Sequence, residues 1–307
     1  MRSKLLPSLI ALALSGSAVF GQISDAQLVD NAYPAELEAS RDQDASRFST
    51  FVAADLNRSG QTFLIALYTN GTQAAVSVLD RGGRVLAHTD LRYLKGFRGE
   101  LQLLDLDGDG VPEIIAQLTA GHGYGVPDSW VFAWRNGQLA LISPTATAGK
   151  LPVSLLSQIA AVDLDGSGKL SLLAFPGVRR DDDGNVVANG DVAVYALSNG
   201  QLTPTTTAFS YAQAFYRRTT GPTKTVKTFS SLAGARKLRI INGIAPNGSA
   251  VDSARVTLNG AEVVHPADFK PKAHVIDVPV QLAAENRLEV ELTGKPGSGI
   301  WVAVVAP

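Results

Sequence analysis

A short pattern occurs three times in the first two thirds of this chain. In each copy an apolar segment runs into a loop that begins with an aspartate and ends with a glycine. The three copies are FVAADLNRSG at 51–60, LQLLDLDGDG at 101–110 and IAAVDLDGSG at 159–168. A repeat at intervals of about 50 residues is typical of folds that stack copies of one small unit, so we expect three similar units.

Each repeat carries the signals of four short β-strands. The apolar segment before the loop is the first strand, and a second apolar run follows the loop. A third segment, a Gly-Gly or Asn-Gly turn and an apolar residue that opens a fourth strand come after it. The second runs are at 63–67, 113–117 and 171–175, and the turns are at 82–83, 136–137 and 199–200. Short buried strands and tight hairpins in this order predict propeller blades.

The number of blades is a problem, because three are recognisable and closed propellers have about four to eight. Three arrangements remain open. Residues 22–48 could supply strands of a degenerate fourth blade, the array could stay open, or two chains could complete one ring.

The pattern changes after residue 207. From there apolar and polar residues alternate in longer segments separated by Asn-Gly and Pro-Gly turns. These segments are at 237–241, 254–258, 274–278, 288–292 and 301–305. Alternation with a period of two predicts a β-sandwich. The expected fold class is therefore all-β, with propeller repeats over 22–207 and a sandwich over 211–307.

Residues 1–21 have the features of a secretory signal peptide. Arg2 and Lys4 precede an apolar run of about 15 residues, which is too short for a membrane-spanning helix. Without this segment the chain keeps 25 basic and 28 acidic side chains, and it has no cysteine. We expect a secreted protein, or a periplasmic or cell-surface protein of a bacterium, with no nucleic-acid partner, no membrane insertion and no thiolate metal site.

The loop of the second repeat concentrates negative charge. Asp105, Asp107 and Asp109 alternate along a short loop that glycines permit, and Glu113 follows. Carboxylates held a few ångströms apart repel one another by about 1 to 4 kcal/mol per pair, and a bound cation removes that cost. Oxygen ligands without histidine or cysteine favour Ca²⁺, with the carbonyl of Val111 and the carboxylate of Glu113 completing its ligands.

The loop has two other interpretations besides a calcium site. An EF-hand begins in the same way, but it needs a bidentate acid at position 12, where this loop has Ala116, and it needs flanking helices. We therefore reject the EF-hand. A metal-free turn stabilised by aspartate side chains remains the alternative, although such a turn does not need three acids.

The pattern of an apolar strand, Asp-x-Asp-Gly-Asp-Gly-x-x-acid and a second apolar strand resembles the FG-GAP, or VCBS-type, repeat of integrin-like propellers. The resemblance covers roughly residues 45–205. It implies that loop positions one, three, five and nine offer side chains to Ca²⁺ and that position seven offers a carbonyl. The implied ligands are Asp105, Asp107, Asp109, Val111 and Glu113 in the second repeat and Asp163, Asp165, Ser167, Lys169 and Ser171 in the third.

The resemblance also ranks the loops. Ser167 and Ser171 replace two acids of the third loop, which should bind calcium more weakly than the second. The first loop keeps Asp55 but has Phe63 at position nine, where no ligand is available, so we expect a structural loop there. The C-terminal segment is similar, through weaker motifs, to Ig-like domains of secreted bacterial proteins, which implies a fold and a location but no ligand.

The sequence shows no catalytic group of residues. Its histidines, His88, His122, His265 and His274, are scattered without metal-ligand spacing. A catalytic site needs a nucleophile with a base, or an open metal site. We therefore expect a calcium-binding recognition or adhesion module, not an enzyme, whose partner is an extracellular protein or polysaccharide. The alternatives are an enzyme or accessory domain that acts on polysaccharide and a purely structural surface protein.

Overall fold

The computed structural model describes residues 23–39, 47–91, 98–119, 128–144, 157–164, 167–176, 178–180, 186–188, 192–205, 209–217, 223–243, 250–269 and 275–305. Within these ranges the protein consists almost entirely of β-strands, with two short α-helices near the N-terminal end. The predicted all-β class is therefore confirmed. The predicted signal peptide lies outside the described residues. Among the helices in the described ranges, none is long and apolar enough to cross a membrane.

Each repeat forms one four-stranded antiparallel sheet in which strands adjacent in the chain are neighbours. The first sheet contains β1 (Phe48–Ala54), β2 (Phe63–Thr69), β3 (Ala74–Leu79) and β4 (Val85–Leu91). The second contains β5 (Arg98–Leu104), β6 (Glu113–Thr119), β7 (Asp128–Arg135) and β8 (Gln138–Leu141). The third contains β9 (Ser157–Val162), β10 (Ser171–Pro176), β13 (Ala193–Ser198) and β14 (Gln201–Pro204), and between β10 and β13 lies a hairpin of β11 (Val178–Arg180) and β12 (Val186–Ala188).

Asn-Gly pairs close the last hairpin of the second and third sheets. Asn136 and Gly137, between β7 and β8, have φ values of 52° and 77°, and Asn199 and Gly200, between β13 and β14, have 49° and 73°. Two consecutive residues with positive φ define a type I′ turn, whose twist matches that of the paired strands. The turns predicted from these dipeptides are therefore present.

The sheets pack in succession, and each aspartate loop contributes a leucine to the next joint. Leu56 lies in the core that the first and second sheets share, and Leu106 lies in the core between the second and third. Leu164 lies in the core that the third sheet shares with the C-terminal strands. All three side chains are at most 3% exposed. Full burial of a leucine contributes about 1.5 to 3 kcal/mol, so each loop stabilises the joint beside it.

Residues 25–39 do not supply strands of a degenerate blade, which corrects one of the three arrangements left open by the sequence. They form α1 (Asp25–Asn31) and α2 (Ala35–Ala39). Ser24 begins α1 with a capping box, in which its side chain and that of Gln27 each accept from the other's backbone amide. Val29 and Leu37 are buried against the first sheet, so the helices cover the face that a preceding sheet would occupy.

The C-terminal part forms two further four-stranded antiparallel sheets. One has the order β15 (Phe209–Tyr216), β22 (Gly299–Val305), β17 (Gly234–Asn242) and β20 (Val275–Leu282); the other has the order β16 (Thr223–Ser230), β21 (Glu285–Thr293), β18 (Ser253–Leu258) and β19 (Ala261–Val264). Side chains of both sheets, such as Leu238 and Val290, share one apolar core. β14 ends at Pro204 and β15 begins at Phe209, and the domain boundary expected near residues 207 to 211 stays a prediction.

Candidate functional site

The second aspartate loop is held in shape by hydrogen bonds from its own backbone. Asp105 accepts from the amides of Gly108 at 2.8 Å and Gly110 at 2.7 Å. The carboxylate of Asp107 accepts from the amide of Asp109 at 3.2 Å. Gly110 has a φ of 81°, a conformation that other residues rarely adopt, and it lets the chain turn into β6. The loop thus fixes its carboxylates before any ligand is present.

Three carboxylates meet in this loop. Asp105, Asp107 and Asp109 each offer one oxygen, and these oxygens all lie within 4.8 Å of one another. Asp109 is exposed and the other two are partly buried. Hard carboxylate oxygens at this spacing suit a Ca²⁺ ion, which takes six to eight oxygen ligands. The structure therefore brings together the three aspartates that the sequence singles out, and their donor set fits the ion that the resemblance implies.

Glu113 lies behind the loop at the first position of β6. The residue is only 5% exposed, and its Oε2 accepts from the amide of Leu106 at 2.9 Å. Burial, and secondarily the charges of Asp107, Asp109 and Asp105, raise the pKa of Glu113 to about 7. It is not part of the group of three aspartates. A cation near the loop would offset this destabilisation of the charged carboxylate.

A cleft lies beside the second loop, and we call it the loop cleft. Its volume is about 380 Å³. One wall comes from the first repeat, one from the second aspartate loop and one from the hairpin of β7 and β8. The lining residues are Leu56, Asn57, Asp107, Asp109, Val111, Glu113, Ala133, Trp134, Arg135, Asn136 and Gly137. The lining thus combines carboxyl, amide, guanidinium and aromatic groups, and the cleft falls within the size range of small-molecule sites.

Arginines bring neighbouring repeats into contact near the cleft. A Cβ on Gly110 would lie 2.2 Å from Nη2 of Arg58, so the guanidinium of the first loop rests directly on the second loop. In the same way, a Cβ on Gly200 would lie 2.4 Å from Nη1 of Arg135. Positive φ favours glycine at both positions, whereas the guanidinium groups are the ends of flexible side chains that could shift.

The first loop is satisfied by its own backbone. Asp55 accepts from the amides of Asn57, Ser59 and Gly60 at 3.0, 3.3 and 2.7 Å. These donors, with the Asn57 amide the strongest, lower the pKa of Asp55. Phe63, at the ninth position, is 4% exposed and packs in the core. This geometry is that of an aspartate-stabilised turn.

The described part of the third loop is held by hydrogen bonds from its own backbone amides. Asp163 accepts from the amide of Gly168 at 3.0 Å, and Ser167 accepts from the amide of Lys169 at 3.3 Å. Ser171 is the first residue of β10 and pairs with Val162. Asp165 lies outside the described residues. Whether any of these residues binds a cation stays a prediction.

The structure also shows a contact that the sequence does not reveal. Ser77 Oγ lies 2.9 Å from Nδ1 of His88, and Nε2 of His88 lies 3.0 Å from Oδ1 of Asp90. Ser77 and His88 are directly opposite on β3 and β4, so strand register alone brings them together. Ser77 is fully buried, however, and a buried hydroxyl cannot reach a substrate.

Two of the other histidines, His122 and His274, lie outside the described residues, and His265 contacts Glu262 at 2.7 Å.

No family model matches the chain, and no curated protein matches it. Solved structures that resemble it include an exo-β-1,3-galactanase from Phanerochaete chrysosporium, with 16% identity, a TM-score of 0.26 and coverage of 83% of this chain and 68% of that one. A fructofuranosidase from Schwanniomyces occidentalis has 8% identity, a TM-score of 0.24 and coverage of 84% and 70%. A β-fructofuranosidase from Bombyx mori has 12% identity, a TM-score of 0.26 and coverage of 84% and 63%.

The prediction that this chain is not an enzyme is contradicted. The galactanase and the two fructofuranosidases are carbohydrate-active enzymes. The fold also places Arg135 beside Asp107, Asp109 and Glu113 in one cleft. The sequence grouped the three acidic residues, but it did not predict Arg135 beside them, because Arg135 belongs to the separate hairpin of β7 and β8. Identities and TM-scores this low carry no argument about substrate or mechanism. No family model supports the FG-GAP resemblance, which stays a prediction.

Proposed function

We propose that this chain is an extracellular protein that acts on polysaccharide and binds it in the loop cleft. The single observation that carries the proposal is the composition of the cleft, in which carboxylates, two asparagine amides, a guanidinium and Trp134 share one opening of about 380 Å³. Sugar hydroxyls need several hydrogen-bonding groups that converge, and sugar rings pack against apolar or aromatic surface. The cleft offers the hydrogen-bonding groups, and its apolar surface comes from Val111 and from the 9% of Trp134 that is exposed.

Calcium is the cofactor for polysaccharide binding in this proposal, and Asp105, Asp107 and Asp109 would hold it. Their oxygens lie close enough to share one ion, and no nitrogen or sulfur ligand is present among them. The ion would neutralise carboxylates that otherwise repel one another at the cleft wall. Affinity for an extracellular module of this kind is of the order of 10⁻⁴ to 10⁻³ M. The residues of this chain would position the loop, and the ion would supply positive charge.

The same residues allow two activities on polysaccharide, which are binding when calcium is present and hydrolysis when calcium is absent. Glycoside hydrolysis uses two carboxyl groups that flank the scissile bond, one as the acid and one as the base or nucleophile. The buried Glu113 and the partly buried Asp107 are candidates for such a pair, since both line the cleft. Carboxylates that ligate Ca²⁺ are not free for proton transfer, so added calcium should suppress hydrolysis but support binding.

A second candidate is calcium-dependent recognition or adhesion, with a protein or glycan as the partner. The closely spaced aspartates of the second loop favour it, because they suit a structural ion. In both cases we propose FG-GAP-like propeller repeats followed by an Ig-like β-sandwich, export through the N-terminal signal, and a secreted, periplasmic or cell-surface location. Neither candidate involves nucleic acid.

The experiment uses affinity electrophoresis and reducing-sugar release on galactans, fructans and uronate polymers, with calcium and with EGTA. If the protein binds a polymer, that polymer should retard it in the gel. Asp107→Asn and Arg135→Gln should abolish the retardation, and the exposed control Asp90→Asn should keep it. Hydrolysis predicts released sugar that Glu113→Gln abolishes while binding remains. The proposal fails if no polymer retards the protein and none is cleaved, or if the cleft variants behave as the control does.

A further inference from the structure

Arg239 joins two parts of the chain that lie 76 residues apart. It belongs to β17, and its Nε and Nη2 donate to the two carboxylate oxygens of Asp277 at 2.7 and 2.6 Å. Its Nη1 donates to the backbone carbonyl of Asp163, the first residue of the third loop. Arg239 is 8% exposed. A bidentate, charge-assisted pair fixes the plane of the guanidinium, so its third contact is directional.

Apolar packing supports this polar contact. Leu164 follows Asp163 and is 3% exposed in a cluster with Ile241 and Trp301 of the C-terminal strands. In the first two repeats the equivalent leucine packs into the joint with the next sheet. The C-terminal strands thus occupy the position that a following repeat has elsewhere in the array.

The third loop is a poor fit for calcium. Ser167 and Ser171 stand where the second loop has carboxylates, and Lys169 adds a positive charge. Arg239, which is paired with Asp277 and contacts the carbonyl of Asp163, adds a second positive charge beside this loop. A divalent ion here would meet two cationic side chains with at most two carboxylates, whereas the second loop offers three aspartates.

We infer that the third aspartate loop holds no calcium and serves instead as the anchor of the C-terminal strands, with Arg239 as the positioning residue. The loop keeps the turn of the repeat, and its backbone carbonyl accepts a hydrogen bond from the neighbouring unit. This inference revises the weaker calcium site expected for Asp163, Asp165, Ser167, Lys169 and Ser171. Neither its metal part nor its anchoring part requires that the second loop bind calcium.

Calcium stoichiometry tests the metal part. Equilibrium dialysis of the whole protein should give one ion per chain, and Asp107→Asn should reduce it to zero. Two ions per chain, with the second lost in Asp163→Asn, would overturn the inference. No binding by the unaltered protein would remove calcium from the proposed function and, since the third loop would then also be empty, would leave this inference intact.

Hydrogen exchange tests the anchoring part. In Arg239→Met, amides of β9 and β22 should exchange at least tenfold faster than in the unaltered protein. Lys237→Met is the matched control, because Lys237 lies on the same strand and only 3.9 Å from Asp277, and no hydrogen bond or ion pair joins it to the described residues of the third loop. Equal protection in the two variants would refute the anchor. Arg239→Lys, which keeps the charge but loses the bidentate geometry, should fall between them and guards against a general folding defect.

Discussion

The carboxylate of Glu113 accepts a hydrogen bond from the amide of Leu106 at 2.9 Å while both residues are buried. This bond stabilises the charged carboxylate, but burial outweighs it, and the pKa of Glu113 rises to about 7 from 4.5. The folded protein therefore binds the proton more tightly than the unfolded chain does. The pH dependence of unfolding should reveal this difference.

In EGTA, the free energy of unfolding should fall as the pH rises from about 4.5 to 7, by an amount of the order of 3 kcal/mol, and then level off. Urea titrations across this range measure it. Glu113→Gln removes the titrating group and should flatten this part of the profile. An unchanged slope in that variant would show that another group is responsible. Saturating calcium should also flatten the profile, because the ion favours the deprotonated form.

Calcium should stabilise the protein through the second loop. At a free concentration ten times the dissociation constant, one site adds about 1.4 kcal/mol to the free energy of unfolding, or about 3 °C in Tm. Asp107→Asn should abolish the shift. Asp90→Asn, which removes an exposed carboxylate elsewhere, should keep it. A shift of equal size in both variants would place the ion outside this loop.

Tyr216 carries a buried hydroxyl for which no hydrogen-bond partner is found among the described residues, and burial raises its pKa to about 12. Removing an unsatisfied polar group eliminates its desolvation cost, so Tyr216→Phe should stabilise the protein by about 1 kcal/mol. Tyr68→Phe is the control, because the Tyr68 hydroxyl donates to the carbonyl of Val29 at 3.0 Å. That variant should lose about 1 kcal/mol or more. Urea unfolding of both variants measures the two changes in stability, and destabilisation by Tyr216→Phe would contradict the prediction.

Gly99 lies at a close contact between the first two sheets. A Cβ there would lie 2.5 Å from Cδ2 of Leu67 and 3.0 Å from Cδ2 of Leu118. Gly99→Ala should therefore destabilise the protein by about 1 to 3 kcal/mol through overpacking. Gly82→Ala meets only a carboxylate oxygen of Asp80, at 3.2 Å, and should change stability much less. Thermal unfolding of the two variants side by side checks the difference.

Local pattern was sufficient for the strands, the turns and the aspartate loop. Apolar runs predict β2, β6 and β10 because a buried strand needs them, and the Asn-Gly pairs predict type I′ turns because Asn and Gly tolerate positive φ. The cluster of Asp105, Asp107 and Asp109 could be predicted because all three side chains belong to one short loop. The two N-terminal helices were not predicted from the sequence, although Ser24 and Gln27 form a capping box, which is a sequence signal for the start of a helix.

The sequence by itself determined the all-β class, the three four-stranded units and the grouping of aspartates, because each depends on residues close together in the chain. Only the tertiary structure decided which surfaces meet. The loop cleft joins residues near 57, 109 and 135, and Arg239 reaches Asp163 across 76 positions. Contacts at such distances depend on how the sheets stack, and apolar periodicity shows that a strand is buried without showing against which neighbour.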